Sequence, residues 1–238
     1  YVVKQRVMPS LVNFDFDFNA ETIGSEISSR NVSAALLPPD VHIPENVTVA
    51  QNNPNSVFGF FFNCSDSYLK NTNLRLALCN AIDRKLFSVA PENAQITEGF
   101  VPKNCSAGSL NYRDAVGGQT PKVDFNTSAA ADYWKAAVSE LGTDKIQLTV
   151  ICPKSIETAV RNQLQIWQKT MGIGLGITVE SKTPAEISSA VSKGSYQIAL
   201  TSIESSYSSA VDFLASLENG GVFRFSGEDY KMIIDRLM

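Results

Sequence analysis

From Asn126 to the end of the chain, helical and strand periodicities alternate, and this alternation limits the possible architectures more than any other feature. "NTSAAADYWKAAVSELG" reads as a helix closed by Gly142, and "KIQLTVIC" as a strand. "SIETAVRNQLQIWQKTMG" is a helix closed by Gly172, and "IGLGITVES" a strand. "TPAEISSAVSKG" is a helix with Pro184 near its start, and "YQIALTSI" a further strand. The helical stretches "SSAVDFLASLENGG" and "SGEDYKMIIDRLM" follow. Segments of this kind bury their apolar sides only in layers, so the pattern predicts an α/β fold: a mixed β-sheet with helices packed on it.

The first third is more β-rich. In "LVNFDFDFN", Val12, Phe14, Phe16 and Phe18 alternate with Asn13, Asp15 and Asp17, the period of a strand with one wet face. A helical stretch is expected around Glu21–Ser29. After it come a brief strand in "SAALLPPD", stopped by Pro38 and Pro39, and strands in "VTVA" and "VFGFFFN". The last of these is apolar enough to be central. "NLRLALCNAIDRKLF", Asn73 to Phe87, then reads as one helix with Leu74, Leu78, Ile82 and Leu86 in a stripe beside Ala77 and Ala81. Asn73 stands at the N-cap, and Arg84 and Lys85 sit where the helix dipole favours cations. Asp83 is left without a packing role. The region from Pro91 to Asn126, with "GFVPKNCSAGSLNYRDAVGGQTP", is irregular and long enough to be a structured excursion.

Few chemistries survive inspection. The net charge of −4 opposes a nucleic-acid partner. No apolar run reaches the roughly 20 residues of a membrane helix, and the start lacks a signal-peptide pattern. His42 is the only histidine, which excludes multi-imidazole metal sites and leaves a triad no second choice. Asp15 and Asp17 share a strand face, where solvated carboxylates are the ordinary outcome; a hydrolase domain built on them or on His42 is the rival reading. "GIGLG", Gly172 to Gly176, follows a helix and enters a strand, the reverse of a dinucleotide loop. Four cysteines allow three pairings: Cys79 and Cys152 read as buried, and Cys64 and Cys105 as disulfide candidates. N-x-[ST] triplets at Asn31, Asn46, Asn63, Asn104 and Asn126 keep open a glycosylated extracellular interaction domain. Nothing points to a cofactor or a metal.

Several segments together resemble a known family. "NTNLRLALCNAIDRKLF" is similar to the segment of extracellular solute-binding proteins, family 5, the oligopeptide/dipeptide/nickel class, in which Arg75, Ala77, Ala81, Asp83 and Arg84 match the recurring positions. "FFFN" resembles the strand that introduces that helix. "SAAADYWKAAVSELG", "IWQKTMGIGLGITVE" and "VSKGSYQIALTSIESSYSSAVDFL" resemble later family segments in the same order. The resemblance implies the second lobe of a two-lobed periplasmic-binding-protein-like fold (type II, cluster C), with residues 1–238 as a single ligand-binding lobe and the first lobe outside this chain. A stop at Met238 within an amphipathic helix fits an excised domain. It further implies a monomeric, non-enzymatic component of an ABC importer. Such a protein sits lipid-anchored on the outer face of the membrane or in the periplasm, and passes a peptide or other small solute to permease subunits. Ligand contacts would come from Ser202, Ile203, Glu204, Ser206 and Tyr207. Ile203 stands where peptide binders of the family often carry an aromatic residue, and Ser206 where they carry an acid, so Glu204 is left to supply the charge. The resemblance also makes Asp83 part of a structural signature, expected to hold a fixed hydrogen bond or ion pair.

Overall fold

The computed structural model describes residues 11–14, 20–35, 48, 56–87, 96–97, 99–117, 123–205, 207–217 and 227–237. The chain divides into two compact units, Tyr1–Gln51 and Asn52–Met238. In the first, helix α1 spans Ala20–Ser28, as the sequence pattern expects. The hydroxyls of Ser25 and Ser28 donate back to the carbonyls of Thr22 and Gly24. The expected strand over "LVNFDFDFN" is not formed at residues 11–14, and Leu11, Val12 and Phe14 are exposed. Ser33–Ala35 and Thr48 also carry no strand. Asp15, Asp17 and His42 lie outside the described residues.

In the second unit, strand β1 (Ser56–Phe62) leads to helix α2 (Thr72–Asn80) and a short 3-10 turn, Arg84–Phe87. A two-stranded hairpin follows, β2 (Ser106–Ala107) with β3 (Leu110–Asn111), and then the short helix α3 (Tyr112–Ala115). The alternating half gives α4 (Thr127–Leu141), β4 (Ile146–Pro153), α5 (Glu157–Met171), β5 (Leu175–Lys182), α6 (Pro184–Ser192) and β6 (Ile198–Glu204). Helices α7 (Ala210–Ala215) and α8 (Glu228–Leu237) complete it. Local chemistry accounts for the boundaries. The Asn126 side chain caps α4 through the Ala129 amide, and Gly142, at φ 67°, ends it in the left-handed region that glycine adopts without strain. Thr183 and Glu186 form a reciprocal capping box at the start of α6, ahead of Pro184.

The main sheet has the order β1-β6-β4-β5. β4 lies parallel to both β5 and β6, and β1 runs antiparallel to β6, so the sheet is mixed. Among the described residues β1 is an edge strand, not the central one its composition suggests. It is apolar on both sides because both sides are covered: Phe58, Phe60 and Phe62 join the helix-covered core, while Val57 and Phe61 pack in a separate cluster. On one face of the sheet, α2, α4 and α5 bury Leu74, Leu78, Trp134, Leu164 and Trp167 against Leu148, Val150, Leu175 and Leu200. On the other, Ile187 and Val191 of α6 cover Ile151 and Ala199.

The expected single helix from Asn73 to Phe87 is broken. Asn71, not Asn73, caps α2 by accepting from the Leu74 amide, and Asn73 instead donates to Glu140. After Ala81 the chain leaves the helix because α5 supplies other partners. Gln163, fully buried, donates to the Ala81 carbonyl at 2.7 Å and accepts from the Asp83 amide at 2.9 Å. Trp167 Nε1 donates to the Leu78 carbonyl at 3.0 Å. Asp83 Oδ1 then accepts from the Lys85 amide at 3.0 Å and opens the 3-10 turn, so its side chain holds a local hydrogen bond. Arg84 is carried away from α2 and donates to the Val123 carbonyl.

The cysteines depart from expectation too. All four are free thiols, and Cys105 is buried rather than placed in a polar turn to pair with Cys64. Burial pushes the Cys79 and Cys152 thiols up to about 11.

Gln163→Leu keeps the volume but leaves the Ala81 carbonyl and the Asp83 amide without their partner. Its expected cost is about 2–4 kcal/mol in urea denaturation. Gln165→Leu, at an exposed position of the same helix, should stay within about 0.5 kcal/mol.

Candidate functional site

The parallel strands β4, β5 and β6 all end on one edge of the sheet, at Pro153, Lys182 and Glu204. The chain leaves β4 through α5 to reach β5 on one side, and leaves β5 through α6 to reach β6 on the other. Strand alternation shows that the two helices cover opposite faces, since α5 packs on Leu148 and Val150 while α6 packs on Ile151. In open α/β sheets the crevice beyond such a switch point is where ligands bind.

On the β6 side, alternation separates the expected ligand residues. Ser202 and Glu204 share one face and are exposed. Ile203 points to the other and is only 9% exposed, packed with Val101, Cys105, Ala210 and Phe213. Tyr207 is 70% exposed, and Ser206 lies outside the described residues. The edge therefore brings Ser202, Glu204 and Tyr207 to the surface and keeps Ile203 beneath it. The β2–β3 hairpin is fastened to the turn: Ser106 bridges Ser209, and its amide and hydroxyl both donate to the Ser208 carbonyl, at 2.9 and 2.8 Å.

On the β4 and β5 side stands a charged cluster. Glu157, in the first turn of α5, accepts from Lys154 Nζ at 2.7 Å and from Arg161 Nε and Nη2 at 2.9 and 2.7 Å. It also accepts from Ser181 Oγ near the end of β5. Lys154 and Arg161 remain largely exposed while the Glu157 side chain is mostly covered. Lys182 pairs with Glu180 at 3.0 Å. The Lys154–Glu157 and Glu157–Arg161 spacings, three and four residues on a helix start, carry the signal for this cluster in the sequence. Its closure by Ser181 does not show there, because β5 is brought in by the fold.

A groove of about 670 Å³ runs beside α6, lined by Asn63, Asp66, Thr149, Tyr196 and Gln197 and also by the charged Glu180, Lys182, Glu186 and Lys193. Its main polar side chains serve the fold. Gln197 accepts from the Thr149 amide and donates to Asp66, and Asn63 Nδ2 donates to the carbonyls of Gly194 and Tyr196. A sugar on Asn63 Nδ2 would replace one of its two hydrogens and so cost at least one of those hydrogen bonds. Among the described residues no group of three His, Cys, Asp or Glu is placed to hold a metal ion, and no helix is long and apolar enough to cross a membrane.

Hydrogen bonds from Lys154, Ser181 and Arg161 lower the Glu157 carboxyl from the ordinary 4.5 to about 2. A depressed folded value means this contribution to stability is complete above the unfolded value and is lost as pH falls through about 2. An NMR titration of the Glu157 carboxyl should therefore show a midpoint near 2, and Lys154→Ala should raise it; a midpoint near 4.5 would contradict the geometry.

With the geometry in place, comparison with known proteins is informative. Three solved structures share the fold. One is the substrate-binding domain of an oligopeptide ABC transporter from Bacillus anthracis, with a TM-score of 0.66 and 20% identity, covering 77% of this chain and 37% of that one. Another is Listeria monocytogenes OppA bound to peptide, with a TM-score of 0.67 and 20% identity, covering 78% and 39%. A third, a peptide-binding protein of a peptide ABC transporter, has a TM-score of 0.64 and 19% identity, covering 76% and 83%. The chain thus spans well under half the length of the first two. At these identities the likeness establishes the fold, that of the type II solute-binding proteins. No protein with a curated description matches the sequence. The family model described as bacterial extracellular solute-binding proteins, family 5, middle region, matches residues 18–223. With its mixed sheet, its helices on both faces and this match over most of its length, the chain belongs to the bacterial extracellular solute-binding proteins of family 5.

Proposed function

We propose that residues 1–238 form the second lobe of a two-lobed receptor of an ABC importer. The lobe closes with its counterpart on an oligopeptide or another small solute, which the protein then delivers to permease subunits. It binds rather than transforms its ligand, and works as a monomer outside the cell membrane, lipid-anchored or in the periplasm.

The observation that carries this reading is the division of charge along the carboxyl edge of the sheet. Exposed Glu204 stands at the end of β6, and exposed Lys154 and Arg161 stand by the ends of β4 and β5. Two strand spacings, about 10 Å, separate β6 from β5, and three extended residues span about the same length. A short peptide lying along this edge would set its ammonium end by Glu204 and its carboxylate end by Lys154 and Arg161. Ser202 and Tyr207 would border it, with Ser206 in the same turn, and Ile203 would support the turn from below. The peptide bound in the Listeria protein supports the same ligand class.

One lobe supplies half of the contacts and leaves the opposite side of the ligand in water, so this chain alone should bind weakly. Titration calorimetry against a peptide mixture should give dissociation constants weaker than about 1 μM, the range in which about 8 kcal/mol of binding energy is not reached. Micromolar or tighter binding by this chain alone would contradict the two-lobed account.

A further inference from the structure

The first turn of α7 carries a half-buried carboxylate, Asp212, directed at the turn after β6. Ser205 Oγ lies 2.5 Å from Asp212 Oδ2 and 2.6 Å from the Tyr207 carbonyl, within donating distance of both. The same oxygen accepts from the Tyr207 amide at 3.3 Å. Asp212 is further tied by its own amide, which donates to Ser209 Oγ at 3.3 Å. Its charge also reaches Cys105 in the cluster beneath: burial first, and the Asp212 carboxylate second, raise that thiol above its ordinary range. On the far side of Tyr207, the Ser208 carbonyl takes both hydrogen bonds from Ser106. With the single Ser205 hydroxyl hydrogen given to Asp212, the Tyr207 backbone is held at its amide and at the following carbonyl, next to the cluster of Ile203, Ala210 and Phe213. Its ring nevertheless stays 70% exposed. The described residues of the turn, Tyr207, Ser208 and Ser209, offer the solvent no charge of their own.

We propose that Asp212 and Ser106 are positioning residues that hold Tyr207 outward as an uncharged aromatic platform, and that an apolar or aromatic side chain of the peptide packs there. The ligand part rests on the peptide-binding reading above; the positioning part does not. An amphipathic ring held in place offers a large contact area at small entropic cost and favours apolar and aromatic groups over charged ones. In this arrangement charge recognition belongs to the strand ends, and side-chain preference belongs to the turn.

Two measurements on this chain test it. The first is fluorine NMR of protein labelled with 3-fluorotyrosine, with the Tyr207 resonance assigned through Tyr207→Phe. Asp212→Ala should shift or broaden that resonance while the other tyrosines stay in place, and Asp212→Asn, which keeps an acceptor oxygen, should restore it. An unmoved Tyr207 resonance in Asp212→Ala would overturn the positioning role. The second is an NMR titration with Ala-Phe-Ala and Gly-Gly-Gly. Tyr207→Ala and Asp212→Ala should weaken Ala-Phe-Ala roughly tenfold, the scale of a lost apolar contact in a binding pocket, and leave Gly-Gly-Gly within about twofold. Equal losses for the two peptides, or none, would overturn the platform. If the unsubstituted chain binds neither peptide at millimolar concentration, the peptide reading fails and takes the ligand part with it, while the fluorine spectra still decide the positioning.

Discussion

The side chain of Gln163 meets the backbone of Ala81 and Asp83 where α2 stops, and much of the molecule depends on that meeting. A buried amide is tolerable only with its donor and acceptor both used, and here both are used by one short stretch of chain. Together with the Trp167–Leu78 hydrogen bond, it fixes the height of α5 against α2. The first two turns of α5 carry Glu157 and Arg161, so the same contact sets the position of the charged cluster at the sheet edge. Stability and binding geometry are joined through one helix. A polar latch gives a register that apolar packing alone, which tolerates sliding, does not define.

The elements governed by local chemistry were legible in the sequence. Helices α4 and α6 begin and end at their caps, and the three parallel strands fall where their periodicity puts them. What could not be read depends on partners distant in the chain. The break after Ala81 is imposed by Gln163 and Trp167 from another helix, so the unbroken leucine stripe pointed to a longer helix than the one that forms. β1 looked central because it is apolar throughout, and its Val57 and Phe61 are covered by a cluster involving Val101, Cys105 and Phe213 that no local pattern announces.

The site divides in the same way. Alternation along β6 puts Ser202 and Glu204 on one side and Ile203 on the other, a division that the expected contact set of Ser202, Ile203 and Glu204 did not make. Which side is covered depends on the segment around Val101 and Cys105, in a region too irregular to assign from sequence. The family resemblance directed the reading to the stretch from Ser202 to Tyr207 and to the departures at Ile203 and Ser206. It gave no indication of the Lys154–Glu157–Arg161–Ser181 cluster, which exists only once β5 lies beside β4. The cluster and the turn together leave exposed charge at the carboxyl edge, Lys154 and Arg161 at one end and Glu204 at the other, and it is there that we place the ligand.

The most direct test of that claim is chemical-shift mapping of the nitrogen-15-labelled chain against millimolar Ala-Ala-Ala. The account expects shifts at Lys154–Glu157 and from Glu204 to Ser208, at the two ends of the carboxyl edge. Shifts confined to Asn63, Lys193 and Gln197, in the groove beside α6, would contradict it.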